Sequence, residues 1–246
     1  MWLEIALIGA GVGFLGGLFG KGGSAVATPL LYLVGVPAIA AVASPLPATV
    51  PGTLVAADAY RRAGMIDLRT VLWSCAAGLP ATVIGAVSTK WIDGTSLVVA
   101  TEVILVGIGI RLLVSPSDPV DVEEEVETAP RWRLLVVGAL VGLAAGLLAN
   151  SGGFLLAPLY LAVARLTIKP ALAASLAVSA VLAVPGTIVH AWLGHVDWTG
   201  TLLMMGTPVA ATPAAGVGAT RTESDRLERL YGAALVVLGG GLLVLG

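Results

Sequence analysis

Ten apolar runs, separated by short stretches of glycine, proline and charged residues, occupy most of the chain. The first five cover about Trp2–Phe19, Ser24–Val34, Ala38–Ala57, Thr70–Thr89 and Ser96–Val114. The second five cover about Leu134–Leu148, Phe154–Ala164, Ala171–Leu193, Trp198–Ala219 and Glu228–Leu245. A membrane-spanning helix needs roughly 20 residues, within about 17–25, and the third to fifth run of each set meet that length. The second run of each set is too short to cross alone. Between the sets lies Ser115–Pro130, which holds three prolines and six acids and so cannot sit in hydrocarbon.

The two sets read as copies of one another. Gly9, Gly13 and Gly17 recur as Gly138, Gly142 and Gly146, and the same offset carries Gly23 to Gly152 and Pro29 to Pro158. Farther on, Pro51-Gly52-Thr53 answers Pro185-Gly186-Thr187, and the Gly64–Asp67 spacing answers Gly194–Asp197. Several matches near one offset mark an internal duplication. The expected organisation is one transmembrane domain over 1–246, with a first repeat over 1–114, an acidic linker over 115–130 and a second repeat over 131–246.

The cations indicate how the copies are related. If the first two runs of each copy form a hairpin that enters and leaves on one face, three spans follow. Each copy then crosses an odd number of times, and the second is inverted. Arg61, Arg62, Arg69, Arg111, Arg131, Arg133, Arg165, Lys169, Arg221, Arg226 and Arg229 then share one face, with Lys90 opposite and Lys21 at a hairpin tip. If the first run instead crosses fully, the cations divide about evenly. The positive-inside rule favours the inverted arrangement, with the linker in the cytoplasm and both termini outside. Glu4 stands where a signal peptide would carry positive charge, so the first run reads as a retained membrane segment of an inner-membrane, multi-pass protein.

Composition agrees and narrows the class. Hydrophobic residues make up 57% of the chain and charged ones 11%, against roughly 25% charged in a soluble domain, so this chain cannot cover a water-facing surface. The 32 glycines and 14 prolines suit transmembrane helices. With only 6 Trp, 4 Tyr and 3 Phe, the aromatic girdles of a membrane barrel are missing. The fold class is therefore an all-α polytopic membrane protein of two inverted repeats, each a broken or re-entrant helical hairpin plus three transmembrane helices. The net charge of −2 and the lack of a basic run argue against nucleic acid. Cys75 is the single cysteine and lies in an apolar run, where it reads as a packing residue.

Each hairpin turns at a glycine cluster. The first runs Gly16-Gly17-Leu18-Phe19-Gly20-Lys21-Gly22-Gly23-Ser24, and the second Gly146-Leu147-Leu148-Ala149-Asn150-Ser151-Gly152-Gly153. Backbone groups outside regular helix bonding survive at membrane depth only where protein buries them or they line a polar cavity. Pro29 and Pro158 each free the carbonyl four residues earlier, at Ala25 and Phe154. Broken helices at matching places in inverted halves point to a transporter substrate site, and helix N-termini aimed at that site favour anions. Lys21 would add a full positive charge at depth. For Gly9, Gly13 and Gly17 and their copies, close helix packing is the plainer reading.

The pattern G-x-x-G-x-G-G over Gly17–Gly23 followed by Pro29-Leu30-Leu31, then P-G-T and G-x-x-D in both halves, resembles the sulfite exporter TauE/SafE family of membrane permeases. The similarity covers Leu3–Leu245 apart from the linker. It implies movement of small sulfur-containing anions such as sulfite or organosulfonates, with proton coupling an open expectation. By motif position it carries Gly20, Gly22, Gly23 and Pro29 into one half-site. Asn150, Ser151, Gly152, Gly153 and Pro158 fall into the other. Lys21 departs from the family pattern.

The remaining polar groups divide between site and scaffold. Ser44 and Ser175 occupy matching places in the third runs, where hydroxyls could face the tips, as could Thr49 and Ser179. Hydroxyls in helices also bond their own backbone. Glu102, about two turns into its run, is the candidate proton-coupling group, because a carboxylate at that depth is costly. Asp58 reads as a local ion pair with Arg61 and Arg62, and Asp67 and Asp197 as helix caps. His190 lies near His195 and reads as an interfacial histidine with a satisfied partner. A Ser151–His190 nucleophile and base would lack the glycine two places before the serine, and no metal-ligand spacing appears among one Cys and two His.

The expectation is thus a permease, not an enzyme. It would use no cofactor or metal and would alternate access around a mid-membrane anion site between the glycine tips, with substrate-binding residues Gly20, Lys21, Gly22, Gly23, Ser24, Ser44, Asn150, Ser151, Gly152, Gly153 and Ser175. Its partners are a small inorganic or organosulfur anion and the lipid bilayer, with a homo-oligomer left open. A passive anion channel is the alternative.

Overall fold

The computed structural model describes residues 2–19, 24–62, 64–114, 129–166 and 168–205, together with 233, 236 and 237. All regular structure among them is helical. In chain order the helices are α1 (Trp2–Phe19), α2 (Ser24–Leu33), α3 (Ala38–Ala43), α4 (Pro45–Arg62), α5 (Leu68–Ser88), α6 (Gly94–Val114), α7 (Arg131–Leu147), α8 (Gly153–Leu159) and α9 (Ile168–Trp192). A 3₁₀ turn over Thr89–Trp91 extends α5, a π turn over Tyr160–Ala164 extends α8, and residues 198–205 are again helical.

Among the described residues, three stretches are long and apolar enough to cross a membrane: Leu68–Trp91, Gly94–Arg111 and Pro170–Trp192. These are the fourth and fifth runs of the first set and the third of the second. The fourth and fifth runs of the second set lie largely outside the described residues. The third run of the first set is one helical path divided at Ser44. Pro45 and Pro47 have no N–H to give to Ala41 and Ala43, so the ladder is interrupted there. Leu68, Leu72, Ile84, Leu140, Ile188 and Leu202 are each more than half exposed. Large apolar side chains in that position fit a lipid-facing perimeter and no aqueous one.

A seam of small residues joins α5 and α7. A Cβ placed on Gly138 would fall on the carbonyl oxygen of Ser74, one on Gly142 on that of Gly78, and one on Gly146 on that of Thr82. The pairs rise together along both helices, so α5 and α7 run in the same direction with their backbones in contact. This is small-residue packing of the kind that holds helices together in lipid, as expected for these three glycines. Then α9 joins the seam in the same direction. Leu182 lies 2.9 Å from the Cβ place of Gly78, and Thr82 Cγ2 lies 3.5 Å from that of Gly186.

After α7 the chain turns back along its own helix. Tyr160 and Ala164 share a buried cluster with Leu134, Val137 and Val141, so α8 and its π turn return toward the end where α7 begins. The 17 residues of α7 measure about 25 Å at 1.5 Å per residue, which sets the length of this arm before the chain turns. Cys75 packs in the same cluster, as expected. The buried hydroxyl of Tyr160 donates to Ser74 Oγ at 2.7 Å and ties the returning arm to α5.

The loop carboxylates hold the helices where the pattern placed them. Asp67 accepts from the amides of Arg69 and Thr70 at 3.0 and 3.1 Å and from the Thr70 hydroxyl at 2.6 Å, capping α5. Asp197 accepts from the amide of Thr199 at 3.1 Å at the start of the helical segment 198–205. Beyond the apolar run that ends at Ala57, Asp58 accepts from Arg61 at 2.6 and 2.9 Å and from Arg62 at 2.6 Å. Those hydrogen bonds hold its carboxyl below the usual carboxylate range, which suits a fixed ion pair.

Candidate functional site

The second glycine cluster forms a buried break between two helices. The ladder of α7 ends with the amides of Leu148 and Asn150 on the carbonyls of Ala144 and Ala145, at 2.9 and 3.0 Å. Ala149 then takes φ 43° and Gly152 φ 70°, two left-handed residues within four that reverse the chain. Gly152 is required twice over: a side chain would be strained at that φ, and a Cβ would lie 2.6 Å from Val141 Cγ1. The carbonyl of Gly152 accepts from Leu155 and Leu156 at 3.0 Å, which starts α8. Two residues after Pro158, which contributes no N–H to the ladder, the helix widens into the π turn.

Asn150 and Ser151 are buried at this break, 2% and 1% exposed. The Asn150 side chain accepts from the amide of Gly152 through Oδ1 at 2.7 Å. Because an N–H can meet only an oxygen, that bond fixes which way the amide points. The NH₂ end is therefore the remaining donor, and among the described residues Asn150 Nδ2 has no hydrogen-bond partner. A buried amide donor left unmatched costs about 1–3 kcal/mol. It calls for an acceptor, and an anion is a strong one.

Around the break, Ala149 packs in one buried cluster with Val42, Ala43, Leu46 and Ala183. The divided third run of the first set thus stands beside the second tip. Ser44 is buried there, but its Oγ accepts from the amide of Asp197 at 3.0 Å while its carbonyl accepts from Thr201 Oγ1 at 3.1 Å. These contacts tie the α3–α4 division to the start of segment 198–205. Ser175 donates to the carbonyl of Leu172 at 2.8 Å, Ser179 to Leu176 at 3.1 Å and Thr49 to Leu46 at 3.0 Å, each within its own helix. Glu102 is buried in α6 at 4% exposure. Gly20, Lys21, Gly22 and Gly23 lie outside the described residues, as does the side chain of Ser24, and Pro29 is buried inside α2.

Two features at the site went unread in the sequence. His190 Nε2 lies 2.9 Å from the carbonyl oxygen of Gly146 in the last turn of α7, a contact across 44 positions that no local spacing announces. The histidine is satisfied as expected and is wholly buried. A cleft of about 240 Å³ also opens between α4 and α9, lined by Pro47, Val50, Pro51, Val184, Thr187, Ile188 and Met205. Members of both P-G-T motifs meet in it, so the paired motifs were a usable signal. Thr187 Oγ1 is buried there with no partner among the described residues.

The family model described as "Sulfite exporter TauE/SafE" matches residues 5–242. Two similar relatives, from Xylella fastidiosa strains 9a5c and Temecula1 / ATCC 700964, are each named "Probable membrane transporter protein". Each is 29% identical, with 98% of this chain and 94% of the relative covered. No solved structure matches the chain.

Proposed function

The chain belongs to the sulfite exporter TauE/SafE family and is a membrane transporter; from that premise we propose that it moves a small sulfur-containing anion through a site at the buried break between α7 and α8. The unmatched Nδ2 donor of Asn150 is the observation that carries this reading. An anion oxygen would satisfy it, and a cation would meet only its positive end. The hydroxyl of Ser151 and the backbone of Gly152 and Gly153 would complete this half of the site. Gly20, Lys21, Gly22, Gly23 and Ser24 would supply the other half, with Lys21 giving charge complementarity. Ser44 and Ser175 would stand behind the two tips.

The halves before and after the linker would be inverted copies that rock around the bound anion in alternating access. The common direction of α5, α7 and α9 supports that arrangement. It is the one expected if the second hairpin and its following span start from the cytoplasmic face, as α5 does. Glu102, buried in α6, is a candidate to take up a coupling proton.

Uptake of labelled sulfite, sulfate and an organosulfonate into proteoliposomes, with and without a pH gradient, tests the reading. Saturable uptake of the sulfur anions is expected, and Asn150→Asp, which replaces the donor with a repelling acceptor, should abolish it. Undiminished uptake by Asn150→Asp would remove this break from the site. Flux that rises without saturation would make the protein a passive anion channel instead.

A further inference from the structure

The fold brings the chain's only two histidines together. α9 ends in a left-handed cap: Gly194 takes φ 73°, its amide bonds the carbonyl of Ala191 at 3.1 Å, and the amide of His195 bonds that of His190 at 3.0 Å. This pairing brings the residue after the glycine back over the last full turn of the helix. Here it sets one imidazole beside the other at a tilt of 47°, with centroids 5.4 Å apart and Nδ1 to Nδ1 at 3.2 Å. His190 is wholly buried, while His195 sits half-buried in the loop.

We propose that His190 and His195 form a site for one proton, which carries positive charge from the loop after α9 to the edge of the α7–α8 break and so strengthens anion binding there. The inference rests on the anion site proposed above.

The partners fix the chemistry. A carbonyl only accepts, so His190 Nε2 must carry a proton and donate to Gly146. In the neutral ring His190 Nδ1 is then an acceptor, and His195 Nδ1 must be the donor that faces it. That leaves His195 Nε2 with a free lone pair on the loop side. A proton that binds there makes His195 an imidazolium. Its Nδ1 proton can pass across the 3.2 Å gap to His190 Nδ1, which leaves His195 neutral and moves the charge inward. No atom need move and no bond to Gly146 breaks. A second proton would set two N–H groups against each other at that distance, so the pair takes one only.

The inner position of the charge is tied directly to the break. The Gly146 carbonyl that receives His190 also accepts from the amide of Ala149 at 3.4 Å, one residue before Asn150. The charged groups nearby are already engaged. From the turn after α5, Lys90 Nζ lies 4.8 Å over the Trp192 ring. At the start of α6, Asp93 accepts from the amides of Thr95 and Ser96, and Asp197 caps the next helix. Glu102 lies farther along α6, α8 and its π turn carry no charged residue, and α7 and α4 hold theirs (Arg131, Arg133, Asp58, Arg61 and Arg62) at their opposite ends. Burial holds the His195 imidazole below its ordinary range, so the pair is neutral at pH 7 and fills in acid. At the matching places the first half has Ala56 and Met65, so the site occurs once per chain.

With only two histidines, a ¹⁵N-histidine spectrum of the full chain in nanodiscs reports this pair alone. One proton taken up between pH 8 and pH 4, with both rings shifting together, is expected; two independent titrations would overturn the site. For function, methanesulfonate is the probe, because its charge does not change over this range. The ratio of its uptake at pH 4 to that at pH 8 in proteoliposomes should be about 5- to 150-fold, the ordinary span of a coupling between sites. The ratio should fall to about 2-fold or less in His195→Gln. A ratio unchanged in His195→Gln, or one lost only in Glu102→Gln, overturns the coupling. Failure of the chain to move any anion at either pH would instead count against the permease reading, while the spectrum still decides the proton site.

Discussion

Gly142→Ala should loosen the protein although it adds a single methyl group. Its Cβ would fall on the Gly78 carbonyl oxygen and lie 2.8 and 2.9 Å from Gly78 Cα and C, where ordinary contact begins at 3.4 Å. These are backbone atoms of a packed helix, and no side chain can swing away. The α5–α7 seam must open by about 1 Å, and a gap of that size forfeits a quarter to a half of each contact of about 0.1–0.2 kcal/mol. Over roughly 40–60 atom pairs, the number a single buried leucine makes, the loss comes to about 1–6 kcal/mol. Measured overpacking costs of about 1–3 kcal/mol fall in the same range. Gly107→Ala in α6 is the control, since nothing lies within 4 Å of its Cβ place and alanine is the better helix former by about 1 kcal/mol. Thermal unfolding in detergent, followed by tryptophan fluorescence, should show Gly142→Ala melting well below the parent and Gly107→Ala at or above it. If Gly142→Ala melts with the parent, the seam does not hold the helices together.

Asp67→Ala removes the cap of α5 and should cost about 0.5–2 kcal/mol. Burial pushes the Asp67 carboxyl up, but hydrogen bonds from Thr70 and Arg69 outweigh it and set it below the usual range. Its contribution is therefore complete above the ordinary carboxylate range and is lost as the pH falls through the lowered value. Melting curves across acidic pH should show that loss in the parent and not in the variant. Tyr160→Phe should cost about 1 kcal/mol by removing the 2.7 Å bond to Ser74; a double-mutant cycle with Ser74→Ala reads the pair directly. Lys21→Met should raise the sulfite concentration for half-maximal uptake about 10-fold or more, the size of a charge-assisted bond. Unchanged affinity would remove Lys21 from the site.

Much of this structure was legible because it is local. The Asp67 cap, the Asp58–Arg61–Arg62 cluster and the turn at Gly152 each involve residues within a few positions of one another. The glycine spacing in α7 announced a close-packed face, though not that α5 would fill it, since the partner's identity depends on the tertiary arrangement. The division at Ser44 was readable in principle from Pro45 and Pro47, but the run was long and apolar enough to pass as one span. The bonds His190–Gly146, Tyr160–Ser74 and Ser44–Asp197 join residues 44, 86 and 153 positions apart, and no periodicity in one sequence encodes such pairs. The orphan donor of Asn150 needed coordinates, because only the bond from Gly152 settles which end of the amide is free.

The α5–α7 seam also bears on how this protein could be taken apart. It joins a helix that precedes the acidic linker to one that follows it, backbone against backbone, with no side chain between. Cutting the chain inside the linker would therefore give two polypeptides whose tightest contact among the described residues is this stripe of small residues. Neither fragment could cover that stripe alone, and reassembly of co-expressed fragments would depend on three glycines more than on any charged or bulky group.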